Sequence, residues 1–88
     1  MKPDATNDSE TLALQALAAA LGDQRLADRF LSLSGLDAPE LRRNAANPRL
    51  LAAFLAFLEA NEADLIDVAA RIGTTPERLV SARAALER

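Results

Sequence analysis

Four acids crowd residues 59–67: Glu59, Glu62, Asp64 and Asp67. Carboxylates at such spacing are what a Mg²⁺ site or carboxylate-only acid–base chemistry would use. Glu59 and Glu62 stand three residues apart, close enough to share a helical face, but Asn61 between them offers a helix break. The more ordinary role of such a group is a solvated surface that also charges the start of a helix. Upstream, Arg42, Arg43 and Arg49 form a local basic patch. Arg42 and Arg43 complement the dipole at the end of a short helix. Functionally, the patch would engage an acidic partner, or the 59–67 acids of a neighbouring copy.

A third constellation is "DLIDVAARIGTTPERLV", a helix that stops at a glycine and restarts behind a cap. That is also how a helix-turn-helix reads, with the 62–86 helix pair and Arg78 and Arg83 as the groove-facing cations. Charge argues against it. With Leu79 and Leu86 inward, the outward face is Glu77, Ser81, Ala84 and Ala85, with Arg78 at its side. The preceding helix carries Glu62, Asp64 and Asp67 toward what would be phosphate. Nucleic acid is therefore the lesser reading.

Other chemistries have no residues to work with. Histidine, cysteine, tyrosine and tryptophan are absent, which removes Ser–His–Asp and Cys–His constellations and nitrogen- or sulfur-ligated zinc. The three glycines are isolated and form no phosphate loop. The chain is expected to be non-enzymatic, with no cofactor and no metal. Net charge is −3, from 13 acids and 10 bases, nine of them arginine. Without cysteine there is no disulfide framework, in keeping with a reducing cytoplasm. "MKPDATNDSE" is polar and acidic, unlike a signal peptide. Apolar runs fall short of the ~18 residues a membrane span needs.

The elements that would position these residues are helices. At 88 residues a single domain is expected: a loose tail at 1–7, then a compact all-α bundle of five to six short helices over 8–88. The first helix spans about 9–21, capped by Asn7 or Asp8, with Leu14, Leu17, Ala18 and Leu21 as its apolar stripe and Gly22 as a left-handed stop. Its alanine side, Ala13, Ala16 and Ala20, would permit close helix approach, but alanine is equally the default helix former on a surface. Asp23 caps a helix over 24–34, with Leu26, Phe30 and Leu33 on one face and Gly35 behind it. Asp37, Pro39 and Glu40 start a short third helix with Leu41 and Ala45 inward.

Asn47–Pro48 opens the fourth helix. "LLAAFLAFL" spreads Leu50, Leu51, Phe54, Leu55, Phe57 and Leu58 over an arc of roughly 160°. That is the widest apolar face in the chain and marks the central helix. The first reading of this face is core; the alternative is that its Leu51/Leu55 edge stays partly open as a dimer seam or partner groove. Asn61 caps a fifth helix, 62–72, unless it runs on continuously from the fourth; Leu65, Val68, Ala69 and Ile72 face inward. Ile66 and Val80 join the large core candidates. Thr74 with Glu77, or Thr75 with Pro76, starts the last helix, 76–86, with Leu79, Ala82 and Leu86 inward. Nothing alternates with period two, so no strands are expected.

"FLSLSGLD" followed by "NPRLLAAFLAFLEANE" resembles a small bacterial family seen mainly in alphaproteobacteria and catalogued as domain of unknown function 3572. The resemblance extends from "LALQALAAAL" to "ERLVSARAAL". It rests on Phe30, Leu31, Leu33, Gly35, Leu36, Pro48, Leu51, Leu55, Phe57, Leu58 and Glu62 in order. These are core and cap residues, so the resemblance bears on fold more than on activity. Leu50 stands where the family pattern has phenylalanine, and Ala56 where it has an acid, so any role of that acid is missing here. The resemblance implies no activity or cofactor. It does imply a signalling context, since members are often encoded near a single-domain response regulator. The expected function is a small cytoplasmic interaction or adaptor protein, whose partner is another protein or a second copy of itself.

Overall fold

The computed structural model describes residues 5–88, which form six helices and no strand. In chain order they are α1 (Ala5–Leu21), α2 (Gln24–Ser34), α3 (Ala38–Arg43), α4 (Pro48–Glu59), α5 (Glu62–Arg71) and α6 (Pro76–Leu86). The expected tail at 1–7 falls partly outside the described residues, and residues 5–7 are already helical. Asn7 and Asp8 thus lie inside α1 rather than capping it. Asp8 sits in the first turn, where the helix dipole favours an acid.

Local capping sets the other boundaries. Asp23 accepts from the Arg25 and Leu26 amides, and Gly35 (φ 75°) closes α2 in the left-handed region. Asp37 and Glu40 form a reciprocal capping box at α3. Asn47 accepts from the Arg49 amide. Asn61, at φ −134°, breaks α4 from α5 and accepts from the Asp64 amide, so the two helices are not continuous. Thr75 is the cap of α6, accepting from Arg78 N at 3.2 Å. Gly73 (φ 73°) is left-handed but Gly22 is not, so α1 ends without the expected glycine stop.

Helices α1, α4 and α6 pack on one another; α2 leans on α1, and α5 on α4, α1 and α6. The Cα radius of gyration, 12.1 Å, equals that expected of one compact domain of this length. Phe30, Phe54 and Phe57 meet at the centre. The Phe30 ring stands edge-on to Phe54 at 5.2 Å and tilted to Phe57 at 5.2 Å. Val68, Leu65, Leu79, Ala82 and Leu86 are buried as the spacing predicts, while Ile72, Ala45, Leu50 and Val80 are half-buried.

Four expectations are corrected. The α1 face in the core is Ala13, Ala16, Leu17 and Ala20; Leu14 and Leu21 remain 43% and 39% exposed, and Ala18 is exposed too. Residues 12–21 are apolar almost all round, so hydropathy does not fix the phase. Close packing does, by placing the smallest side chains where α6 and α4 press. Leu33 is 74% exposed, because the groove beside the last turn of α2 is open. Ile66 is half-exposed on the outer side of α5. Finally, Leu51 and Leu55 are fully buried, which closes the suggested α4 edge to any partner.

Candidate functional site

The α4–α5 break matters because of what it aims. Capped by Asn61, α5 enters with Asp64 in its first turn and turned inward, only 5% exposed. Two arginines one turn apart on α2 reach it. Arg25 Nη2 donates to one carboxylate oxygen at 2.9 Å and Arg29 Nη1 to the other at 2.7 Å. Arg29 also lies over the Phe57 ring, with its Cζ 5.3 Å from the centroid. Arg71 extends the network to Asp67 at 3.0 Å and to Asp23 at 3.5 Å. Thus α2 is tied to α5 at one end while its other end, with Leu33, stays free.

Beyond this network a shallow open groove of about 370 Å³ is lined by Arg29, Ser32, Leu33, Phe57 and Ala60. It is mostly apolar, with one cation at its edge. A second shallow groove, about 320 Å³, runs between α1 and α6, where Asp8, Ser9, Arg78 and Ser81 stand beside Leu12 and Ala85. Among the described residues no group of three or more acids is gathered as a metal site.

Burial by itself pushes the Asp64 carboxyl up, but the hydrogen bonds and charges of Arg25 and Arg29 outweigh it, and the net shift is downward. A depressed folded value stabilises the fold above the unfolded aspartate pKa of ~3.9, and that contribution is lost as pH falls through the folded value. Asp64→Asn is therefore expected to cost about 1–2 kcal/mol at pH 7, limited by the solvent around both arginines. It should also flatten the acid limb of the stability curve below about pH 4. Urea unfolding at pH 7 and pH 3 checks both; equal losses at the two values would contradict this role.

The acids and bases singled out from sequence do not converge. Glu59 pairs with Arg83 of α6, Asp64 with Arg25 and Arg29, and Asp67 with Arg71. Glu62 is exposed. Arg42, Arg43 and Arg49 are exposed near the α3–α4 turn, engaged by none of these acids. So Asp64 is no surface acid, as a solvated face would require, and the 59–67 acids largely satisfy this chain's own arginines. Arg83 is held by Glu59 and by Glu87 at 2.6 Å, and these partners raise its pKa against the desolvation that would lower it. A guanidinium so committed is not a free groove reader, which leaves Arg78, beside Glu77.

Arg25 and Arg29 were not singled out by sequence, and Leu33 was read as an inner-face residue rather than as part of a site. The i, i+4 arginine pair on α2 was the available signal, but its counter-ion lies 39 residues downstream of Arg25.

A family model described as "Protein of unknown function (DUF3572)" matches residues 6–88. No curated protein and no solved structure matches the chain.

Proposed function

The chain belongs to the DUF3572 family, and we propose that it is a small cytoplasmic protein–protein interaction module whose contact face is the α2–α4 groove. One observation carries this reading. Leu33 is 74% exposed on a helix whose neighbouring turn is pinned, and it stands at the edge of a groove that also exposes the rim of Phe57. A large exposed apolar side chain beside a concave apolar surface is the usual form of an anchor site for another protein. Arg29 is held by Asp64 and the Phe57 ring, so it presents its remaining donors with little further ordering. No helix of the described residues is long and apolar enough to cross a membrane.

A single-domain response regulator, the neighbour implied by the family resemblance, is the first partner to try. The chain contains no cysteine, so Leu33→Cys carries a photo-crosslinker at one site. With purified response regulator, position 33 is expected to crosslink, and an equivalent label at exposed Ala84 is not. Leu33→Asp should weaken the interaction at least tenfold. Equal crosslinking from both positions, or an undiminished Leu33→Asp complex, would remove the groove from the reading. Helix-turn-helix DNA binding stays the second reading, and nothing in the placement of Arg83 favours it.

A further inference from the structure

The rim of the α2–α4 groove is lopsided in charge. Arg25, Arg29 and Leu33 follow one another at i, i+4 on α2, so they form one line along the helix, each about 6 Å from the next. Leu33 and Arg29 border the groove, and Arg25 continues the line beyond it. Of the residues that line the groove, Arg29 alone is charged. The two arginines divide a single carboxylate, Asp64, and their side chains stay 58% and 42% exposed. Each gives it one donor, and a guanidinium has five. Among the described residues neither has another acceptor.

The neighbouring acids are directed elsewhere. Asp23 and Asp67 hold Arg71 on the Arg25 side. Asp23, at the start of α2, is about 15 Å of helix away from Leu33. Glu59 is bound to Arg83 of α6. Asp28 lies about 100° around α2 from Arg29, and Glu62 about 160° around α5 from Asp64, the residue that meets α2. The positive end of the network thus adjoins the groove. Solvent alone accounts for the arginines, but it leaves Leu33 mostly exposed beside the Phe57 ring.

We infer that the occupant of the groove is an amphipathic helix of another protein, with an Asp or Glu one turn from a large apolar residue; this rests on the groove being the contact face. The apolar residue enters against Leu33 and Phe57, and the carboxylate meets the unused donors of Arg29. Arg25 stands one turn further along for a second acid. Spacing, charge and backbone each select this chemistry. Two residues one turn apart on the incoming helix match the step from Leu33 to Arg29. A base at the same place would be pressed against Arg29 as the groove dries, which disfavours it. A helix also brings its own backbone hydrogen bonds. An extended peptide would need an edge strand to pair with, and the described residues form none.

A library of amphipathic helical peptides tests it. Peptides of about 16 residues, roughly four turns, are displayed on phage, selected on the wild-type chain and depleted on Leu33→Asp. The recovered sequences are expected to place Asp or Glu one turn from Leu, Ile, Met or Phe. A synthesised peptide from this set should bind about fivefold more weakly when its acid is changed to the amide. Arg29→Gln should weaken it by a similar factor, and the two losses should not add. The peptide change leaves the protein untouched, so it reads the contact even where Arg29→Gln disturbs the fold. Leu33-dependent peptides without an acid, or an amide form that binds within about twofold, would overturn the carboxylate and leave the groove standing. Recovery of no Leu33-dependent peptide would remove the groove itself, and this inference with it. A mass that rises above 9.4 kDa with concentration for the wild-type chain, but not for Leu33→Asp, would give the groove to a second copy instead.

Discussion

Replacing Phe54 by alanine is expected to lower the stability of this domain by about 3–5 kcal/mol. The ring is 1% exposed, stands edge-on to Phe30 at 5.2 Å and lies 6.1 Å from Phe57. Removing it leaves a void bounded by two rings that cannot both move inward, and it ends the edge-to-face contact. An 88-residue domain has roughly 5–13 kcal/mol in all, at ~0.05–0.15 kcal/mol per residue. Phe54→Ala therefore consumes about a quarter of it or more, and at the lower totals it leaves the chain unfolded at 37 °C. Phe54→Leu keeps most of the volume and should cost about 1–2 kcal/mol. Urea denaturation of both separates them. A loss below 1 kcal/mol for the alanine variant would mean that Phe54 is not central.

The effect would also spread to the candidate site. Phe57 touches both Phe30 and Phe54 and carries Arg29 on its outer side. A collapsed aromatic centre lets the Phe57 ring tilt, and the groove beside Leu33 changes shape with it. Core and contact face are thus one structure in this small domain.

How much of this was legible in the sequence depends on how local the cause is. Caps are local. Asp37 with Glu40, Asn47 with Pro48 and Asp23 ahead of α2 could each be read within four residues, and the helices start where those residues put them. The broad apolar arc of α4 was equally plain, since six large side chains leave one direction for the core. The Asp64–Arg25–Arg29 network was not legible, because its members are 35 and 39 residues apart and no periodicity connects them. Leu33 shows a different limit. Its spacing from Leu26 and Phe30 places it on the inner face, yet the last turn of α2 borders an open groove, and spacing does not say where a helix outruns its neighbours. Charges were legible only where they are local: Asp67 and Arg71 stand four residues apart on α5, whereas Glu59 meets Arg83 only once α4 and α6 have been packed.

The phase of α1 supplies the sharpest test of that packing. If the leucine stripe Leu14–Leu17–Ala18–Leu21 were inward, Leu21→Ala would cost 2–5 kcal/mol and Ala16→Leu would be a harmless surface change. The structure reverses this. Ala16 and Ala13 are fully buried where α1 meets α6 and α4, and no space remains for three more carbons. Ala16→Leu is expected to destabilise by about 2–3 kcal/mol through overpacking, either pushing α6 away or forcing Leu79 or Leu86 from its rotamer. Leu21→Ala, at a residue 39% exposed, should cost less than about 1 kcal/mol. Thermal unfolding measures both. At ~4–8 °C per kcal/mol for a domain of this size, Ala16→Leu should lower Tm by at least ~8 °C, clear of the smaller loss in Leu21→Ala. The opposite order would rotate α1 by about a quarter turn and turn its leucines into the core.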